Sequence, residues 1–545
     1  MNRRHFLSTM AAATLAAGGS PEASAQQPAA QGNAAAKGSR AANAPNILIF
    51  MPDQQNGATV LPESPVIKPH LDRFRRDAVT FDSAHCPAPH CCPSRASFMS
   101  GRYPSEHGVY NNVSTNTAIH FNPYEGTPFW GKDLRQAGYQ LGYAGKLHVG
   151  RDITPESCGF ENLSSLEQDT VSSKANDRSR QLQKAHEDLA NGDERSPGEI
   201  IRPGWSNLQL YKTLPNHGPT GYDDLNDTKI VRAAIDGMHR MAAASEPWCI
   251  MVSNSGAHDP YNVPQRFVDL YDIDKTVLPE SYRDNLEDKP RVYQRQRYQY
   301  WSQLSDNESK EALRHYYAKC SMQDALFGEL LDALEATGQG ENTIVIYTSD
   351  HGDYAAAHGL WMKGVPSFRE AYHVPAIIRW PRYTNGKARR LDGFVEHVDY
   401  ASTLLEAAGV ASSAPISGKS LLPWIKGEAP KQWREMTHFQ LNGVELYYTQ
   451  RIVMSKDWKY VYNGFDFDEL YSLRDDPHEL TNLASPGPMN GAPHRSKSPW
   501  PQLPEREEEA RRELLRQMWS FAAAHNDTIF NPYGTVALAP YGPAI

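Results

Sequence analysis

Short, continuous apolar runs punctuate the chain at Asn46–Met51, Trp248–Ser253, Thr343–Thr348 and Val374–Trp380. Runs of this length without polar alternation predict strands buried on both faces, as in a parallel sheet. Between them, Lys229–Ala244 and Met322–Ala336 repeat apolar residues at helical spacing. Strands alternating with helices predict an α/β fold, with a large, mainly parallel central sheet sandwiched by helices. In such sheets the chemistry sits beyond the carboxyl ends of the strands. The residues just after each apolar run are therefore the first candidates for function.

After Pro423 the pattern changes. Tyr447–Tyr462 reads as paired strands turning at Ser455-Lys456-Asp457, and Glu505–Ala524 reads as a charged helix. A smaller C-terminal α+β subdomain over residues 426–545 is expected, packed on a catalytic body over 45–425. Polar stretches at about 165–225 and 278–312 have weak periodicity and read as insertions on the active-site face. No internal repeat is visible.

Composition narrows the function. The 545 residues carry 64 acidic and 55 basic side chains, a net charge of −9, so no nucleic-acid partner is expected. No apolar run reaches the roughly 18 residues needed to span a bilayer, so no stable membrane insertion is expected. Six cysteines in a chain of this length do not make a disulfide framework. At the N-terminus, Arg3-Arg4 precedes a mild apolar stretch, and Ala23-Ser24-Ala25 offers a small-x-small cleavage site. Residues 1–25 thus read as a twin-arginine signal peptide and 26–44 as a disordered tether of Ala, Gln, Gly and Ser. A periplasmic or secreted protein that uses the twin-arginine translocase is expected.

The densest chemistry lies at Cys91-Cys92-Pro93-Ser94-Arg95, followed by Gly101-Arg102. A proline two residues after Cys91 suits the first turn of a helix, which would put Cys91 at a helix N-terminus. There the unpaired N–H groups favour an anion and lower a thiol's pKa. Asp53-Gln54 ends the first apolar run, and Asp350-His351 ends the third. Neighbours on a regular strand face opposite ways, so each pair reaches one ion only where the chain leaves the strand; Gly352 permits that departure. Lys146 and His148, two apart, would share one face, while His258 and Lys363 follow in short loops.

The string Cys91 to Arg102 resembles the sulfatase signature C-x-P-S-R-x-x-x-x-x-G-R. The resemblance continues through His315-Tyr316-Tyr317 with Asp324, Val374–Ile378, Glu469–Leu473, Asp475–Glu479 and Asn482-Leu483. It implies a formylglycine-dependent (type I) sulfatase of the alkaline-phosphatase-like superfamily, in which formylglycine-generating machinery converts Cys91 to an aldehyde. It also implies one divalent cation held by Asp53, Gln54, Asp350 and His351 together with the modified Cys91. Calcium is the first expectation for the oxygen donors, with Mn²⁺ or another transition ion as the alternative that His351 brings in. Many family members carry a second aspartate where Gln54 stands. Arg95, Lys146, His148, His258 and Lys363 match positions that steady the nucleophile or contact sulfate. In that scheme a hydroxyl of the hydrated aldehyde attacks sulfur, while His258 or Lys363 assists the leaving alcohol. His148 then takes the second proton.

A sulfated small molecule or glycan is the expected substrate. Export would place the enzyme among glycan fragments, and Tyr282, Arg283, Arg291, Tyr293, Arg295, Arg297, Tyr298, Tyr300 and Trp301 could offer sugar-stacking rings and anion-pairing guanidiniums. Two rivals stand beside this. A phosphonate monoester or phosphodiester hydrolase would use the same residues, and an inactive sulfatase-like binding protein would keep only the fold.

Overall fold

The computed structural model describes residues 44–113, 118–164, 182–184, 186–187, 195–202, 207–443, 446–486 and 503–537. The expected signal peptide and the tether, but for its last residue, lie outside these. Eight strands make the central sheet: β1 (Asn46–Phe50), β2 (Val79–His85), β3 (Gln140–Gly145), β4 (Glu161–Asn162), β5 (Trp248–Ser253), β6 (Thr343–Thr348), β7 (Ala376–Arg379) and β8 (Arg389–Glu396). Their order across the sheet is β8-β2-β7-β6-β1-β5-β3-β4. Neighbours are parallel except where β7 runs antiparallel to both β6 and β2.

The principal helices are α1 (Cys91–Ser100), α2 (Asn226–Ala242), α3 (Arg291–Gln299), α4 (Asp306–Ala336), α5 (Val398–Ala408) and α6 (Glu505–Ala524). Side chains alternate across a strand, and β1 shows the consequence. Ile47 and Ile49 pack with Phe98 of α1 and Leu404 of α5 on one side. Leu48 and Phe50 pack with Val231 of α2 and Phe327 of α4 on the other. Both faces are thus covered, which is why β1, β5 and β6 read as unbroken apolar runs.

Two expectations need correction. Val374–Trp380 is not another parallel strand, because no crossover helix carries the chain back to the far edge of the sheet. Instead the residues after β6 loop over the carboxyl edge, and the chain returns from that edge as β7. Met322–Ala336 is only the second half of α4, which has 31 residues and starts inside the supposed insertion. Its start is set by Ser305, whose hydroxyl accepts from Glu308 N–H while the Glu308 carboxylate accepts from Ser305 N–H.

A second, antiparallel sheet follows the order β9 (Thr437–Asn442), β10 (Thr449–Met454), β11 (Trp458–Asn463) and β12 (Glu469–Ser472). One face carries Val453, Tyr460 and Leu470 against Leu514, Met518 and Trp519 of α6. The other carries Ile452, Val461 and Tyr471 against Tyr354, Trp361 and Phe368. Those last three belong to the loop after β6, so the small sheet backs the segment that bears Lys363.

Candidate active site

The register of the parallel strands gathers the candidates. Phe50 pairs with Tyr347 across β1 and β6, and Gly145 pairs with Ser253 across β3 and β5. Asp53, Lys146, His258 and Asp350 therefore all follow strands that end at one edge. Gln54 has a positive φ of 61°, which takes it off the strand line directly after Asp53. Its N–H donates to Asp350 Oδ1 at 3.0 Å, tying the two strand ends together.

Cys91 opens α1 and is almost wholly buried at the same edge. Its sulfur lies 3.3 Å from His351 Nε2, 3.6 Å from Lys146 Nζ and 3.9 Å from Asp53 Oδ1. One ligand atom each from Asp53, Cys91, Asp350 and His351 falls within 4.8 Å of the others, and all four residues are buried. Burial opposes a charged thiol, but Lys146, Lys363 and His351 outweigh it and hold Cys91 well below the ordinary thiol value. Cys92 faces elsewhere: its N–H donates to Asn112, and its sulfur accepts from Val113 N–H at 3.4 Å. All six cysteines are free and buried.

Arg95, one turn into α1, is buried and spends its guanidinium on the site's framework. Nε donates to Asp350 Oδ2 at 2.7 Å, Nη2 to Asp53 Oδ2 at 3.1 Å, and Nη1 to Ser253 Oγ and the Lys146 carbonyl. Lys146 Nζ pairs with Asp53 Oδ2 at 2.9 Å. Burial and the Cys91 charge would raise the Asp53 carboxyl, yet Lys146, His258 and Arg95 keep it far below the usual carboxylate range. Cations therefore surround the site before any substrate enters.

Lys363 Nζ sits 2.5 Å from His258 Nε2 and donates to Gln54 Oε1 at 2.6 Å. His258 Nδ1 lies 2.6 Å from the Asp259 carbonyl. His148 keeps both ring nitrogens buried, beside the sulfurs of Cys91 and Cys92. Burial opposes its protonation, but the sulfurs of Cys92 and Cys91 push it up to about 9. The structure thus brings every expected residue to one locus, with Gln54 set apart in one respect: its amide oxygen faces Lys363. His358 lies aside, stacked on Phe368 and bonded to Asp284.

Several site neighbours were given no role by the sequence reading, although Ser94 stands within the Cys91 motif. Ser94 Oγ donates to the Asp350 carbonyl and lies 2.7 Å from His397 Nδ1. His90, just before Cys91, is buried with neither ring nitrogen partnered. Asp259 and Asp353 both accept from the Gln54 side chain. Only adjacency to His258 and to Asp350-His351 could have marked those two acids. The aromatic and arginine segment is a correction: Tyr293 is fully buried with its hydroxyl on Glu469, and Trp301 is buried too, so neither can stack on a sugar.

This arrangement, a cysteine-bearing helix N-terminus facing an acid–histidine cluster at the carboxyl edge of an alkaline-phosphatase-like sheet, agrees with the likeness of the chain to known proteins. The Sulfatase family model matches residues 45–410, and a model described as N-sulphoglucosamine sulphohydrolase, C-terminal, matches 357–492. The chain belongs to the sulfatase family and is a sulfuric ester hydrolase. It is 30% identical to choline-sulfatase of Rhizobium meliloti (strain 1021) over 469 residues, 82% of this chain and 84% of that protein. It is 25% identical to N-acetylglucosamine-6-O-sulfatase of Bacteroides thetaiotaomicron, covering 81% and 82% of the two chains. Phosphonate monoester hydrolase from Silicibacter pomeroyi superposes with a TM-score of 0.66 at 20% identity, covering 89% of this chain and 96% of that one. At that identity the likeness concerns the fold.

Proposed function

We propose that this enzyme hydrolyses sulfate monoesters of carbohydrates, with Cys91 converted to formylglycine and a divalent cation at Asp53, Gln54, Asp350 and His351. The observation that carries it is the buried cluster in which the Cys91 side chain meets two carboxylates and an imidazole within 4.8 Å. The donor set fits a cation. His351 Nδ1 lies 2.9 Å from the Gly352 carbonyl, the partner for its N–H, so Nε2 keeps its lone pair for the cluster. Hard oxygens favour Ca²⁺, and the imidazole admits Mn²⁺ or another transition ion.

When bound, the cation would draw negative charge from a sulfate oxygen and from the nucleophile's hydroxyl. Hydrated formylglycine would supply that hydroxyl where the Cys91 sulfur now stands. The chain's own groups do the rest. Lys146 and Lys363, raised by neighbouring anions despite burial, remain ammonium ions and hold sulfate oxygens. Arg95 locks Asp53 and Asp350 in one orientation. His258 Nε2 and Lys363 Nζ, 2.5 Å apart, share one proton, and the pair is placed to give it to the departing alcohol. His148 lies beside Cys91, and conversion of that cysteine removes one of the sulfurs that hold the imidazole protonated, so that it can accept the proton that releases sulfate.

A cleft of about 770 Å³ opens from Lys146 and His258, lined both by polar groups such as Lys212, Thr220, Asn226 and Asn262 and by Leu214, Leu225, Pro260 and Met322. The N-acetylglucosamine-6-O-sulfatase relative supports a carbohydrate ester. Conversion by formylglycine-generating machinery, then export by the twin-arginine translocase to the periplasm or beyond, completes the reading and rests on Arg3-Arg4 and the Cys91 motif.

Specificity constants test it. Values for sulfated aminosugars should exceed those for nitrophenyl sulfate, choline sulfate and a nitrophenyl phosphonate. A clear preference for phosphonates or phosphodiesters would move the enzyme to the rival hydrolase class.

A further inference from the structure

Gln54 is the one expected ligand with two chemically different ends. Its oxygen can accept from a cation or bind an ion, whereas its NH₂ can do neither. Something must decide which end faces the active site. In the structure Nε2 donates to Asp353 Oδ2 at 2.6 Å and to Asp259 Oδ1 at 3.2 Å. Oε1 accepts from Lys363 Nζ at 2.6 Å. Two carboxylates on one side and an ammonium on the other admit a single sense for the amide.

Asp353 is itself held fast. Its Oδ1 accepts from Ala355 N–H at 2.8 Å and Met362 N–H at 3.0 Å, and its Oδ2 also accepts from the Tyr261 hydroxyl at 2.6 Å. The side chain is fully buried. It thus joins the end of β1, the loop after β5 and the loop that bears Lys363.

We propose that Asp353, supported by Asp259, is a positioning residue that fixes the sense of the Gln54 amide, keeping an oxygen rather than an NH₂ on the active-site side. Such a device is needed here because an amide stands where an aspartate, alike at both ends, would need no orienting. The proposal rests on the reading of Gln54 as a cation ligand.

Asp353→Asn tests it with little change of shape. The Asn oxygen can keep the two backbone N–H groups, so its NH₂ would confront Gln54 Nε2 and force that amide to turn. Mn²⁺ alone would be titrated into chelator-treated full-length protein, with the melting temperature recorded in parallel. Asp353→Asn and Gln54→Leu should each weaken Mn²⁺ by about 10–100-fold, the range for partners that orient metal ligands. Asp259→Asn, acting through the longer bond, should weaken it less. Tyr261→Phe, which removes a different bond to Asp353, should leave Mn²⁺ affinity within about twofold while lowering the melting temperature.

If Gln54→Leu weakens Mn²⁺ but Asp353→Asn and Asp259→Asn do not, the positioning role is wrong. If Gln54→Leu itself leaves Mn²⁺ affinity unchanged, the ligand reading fails and the proposal with it. Should Asp353→Asn not fold, Asp259→Asn decides alone, and an unchanged affinity overturns the proposal.

Discussion

At the scale of single residues, Arg95 shows how structure and chemistry share one group. Its guanidinium bridges the carboxylates of Asp53 and Asp350, 255 positions from the latter in sequence, and every one of these groups is buried. Breaking a buried ion pair from one side leaves the other charge stranded, at about 3–5 kcal/mol. Arg95→Met should therefore lower the unfolding free energy by about that amount in urea titrations and abolish turnover. A stable, active Arg95→Met protein would contradict the framework role. Cys91 and Cys92 differ sharply despite adjacency, because the helix start turns only Cys91 toward Lys146 and His351. Cys91→Ala should remove activity while the melting temperature stays near wild type; Cys92→Ala should retain most activity. The motif around Cys91 was legible in sequence because its members sit within one helix. The Gln54 partners were not, since Asp259, Asp353 and Lys363 lie 205 to 309 positions away and converge only through the sheet.

At the scale of elements, the same contrast holds. Strands β1, β5 and β6 announced themselves because burial on both faces removes polar alternation. The direction of β7 did not, because direction depends on whether a crossover intervenes, not on the run's own residues. The start of α4 was legible in principle: Ser305-x-x-Glu308 is a capping box hidden inside a polar stretch. Ser305→Ala should cost about 1 kcal/mol in unfolding free energy, measurable against the wild type. The small sheet is tied to the Lys363 side by Lys459, which donates to Glu479 and to the Ser367 carbonyl. Burial would raise Glu479, but Lys459 and the Arg369 N–H hold its carboxyl below the ordinary value of 4.5. A depressed acid stabilises the fold above its unfolded pKa, and that stability is lost as pH falls through the folded pKa. The stability gap between wild type and Glu479→Gln should therefore be full near neutrality and close below about pH 4. A gap that does not change with pH would mean that Glu479 acts through shape rather than charge.

At the scale of the whole molecule, one sheet edge collects groups from β1, β3, β5, β6 and the start of α1 into a site that is cationic around a buried anionic cluster. That polarity is what a sulfate monoester requires, and it explains why the net charge of −9 says nothing about the substrate. Asp53 and Asp350 are fully buried and only partly neutralised by Arg95 and Lys146, so removing the cation should cost the fold the rest of their neutralisation. Chelation should therefore abolish turnover and lower the melting temperature together, and added Ca²⁺ or Mn²⁺ should restore both. Undiminished turnover after chelation would remove the cation from the account. Under the proposed function Cys91 is the precursor of the nucleophile. The most direct test is a mass spectrum of the tryptic peptide Asp77–Arg95 from active enzyme. Position 91 should have lost sulfur and two hydrogens and gained oxygen, with Cys92 intact; fully active enzyme in which position 91 is still a thiol would contradict the role of Cys91.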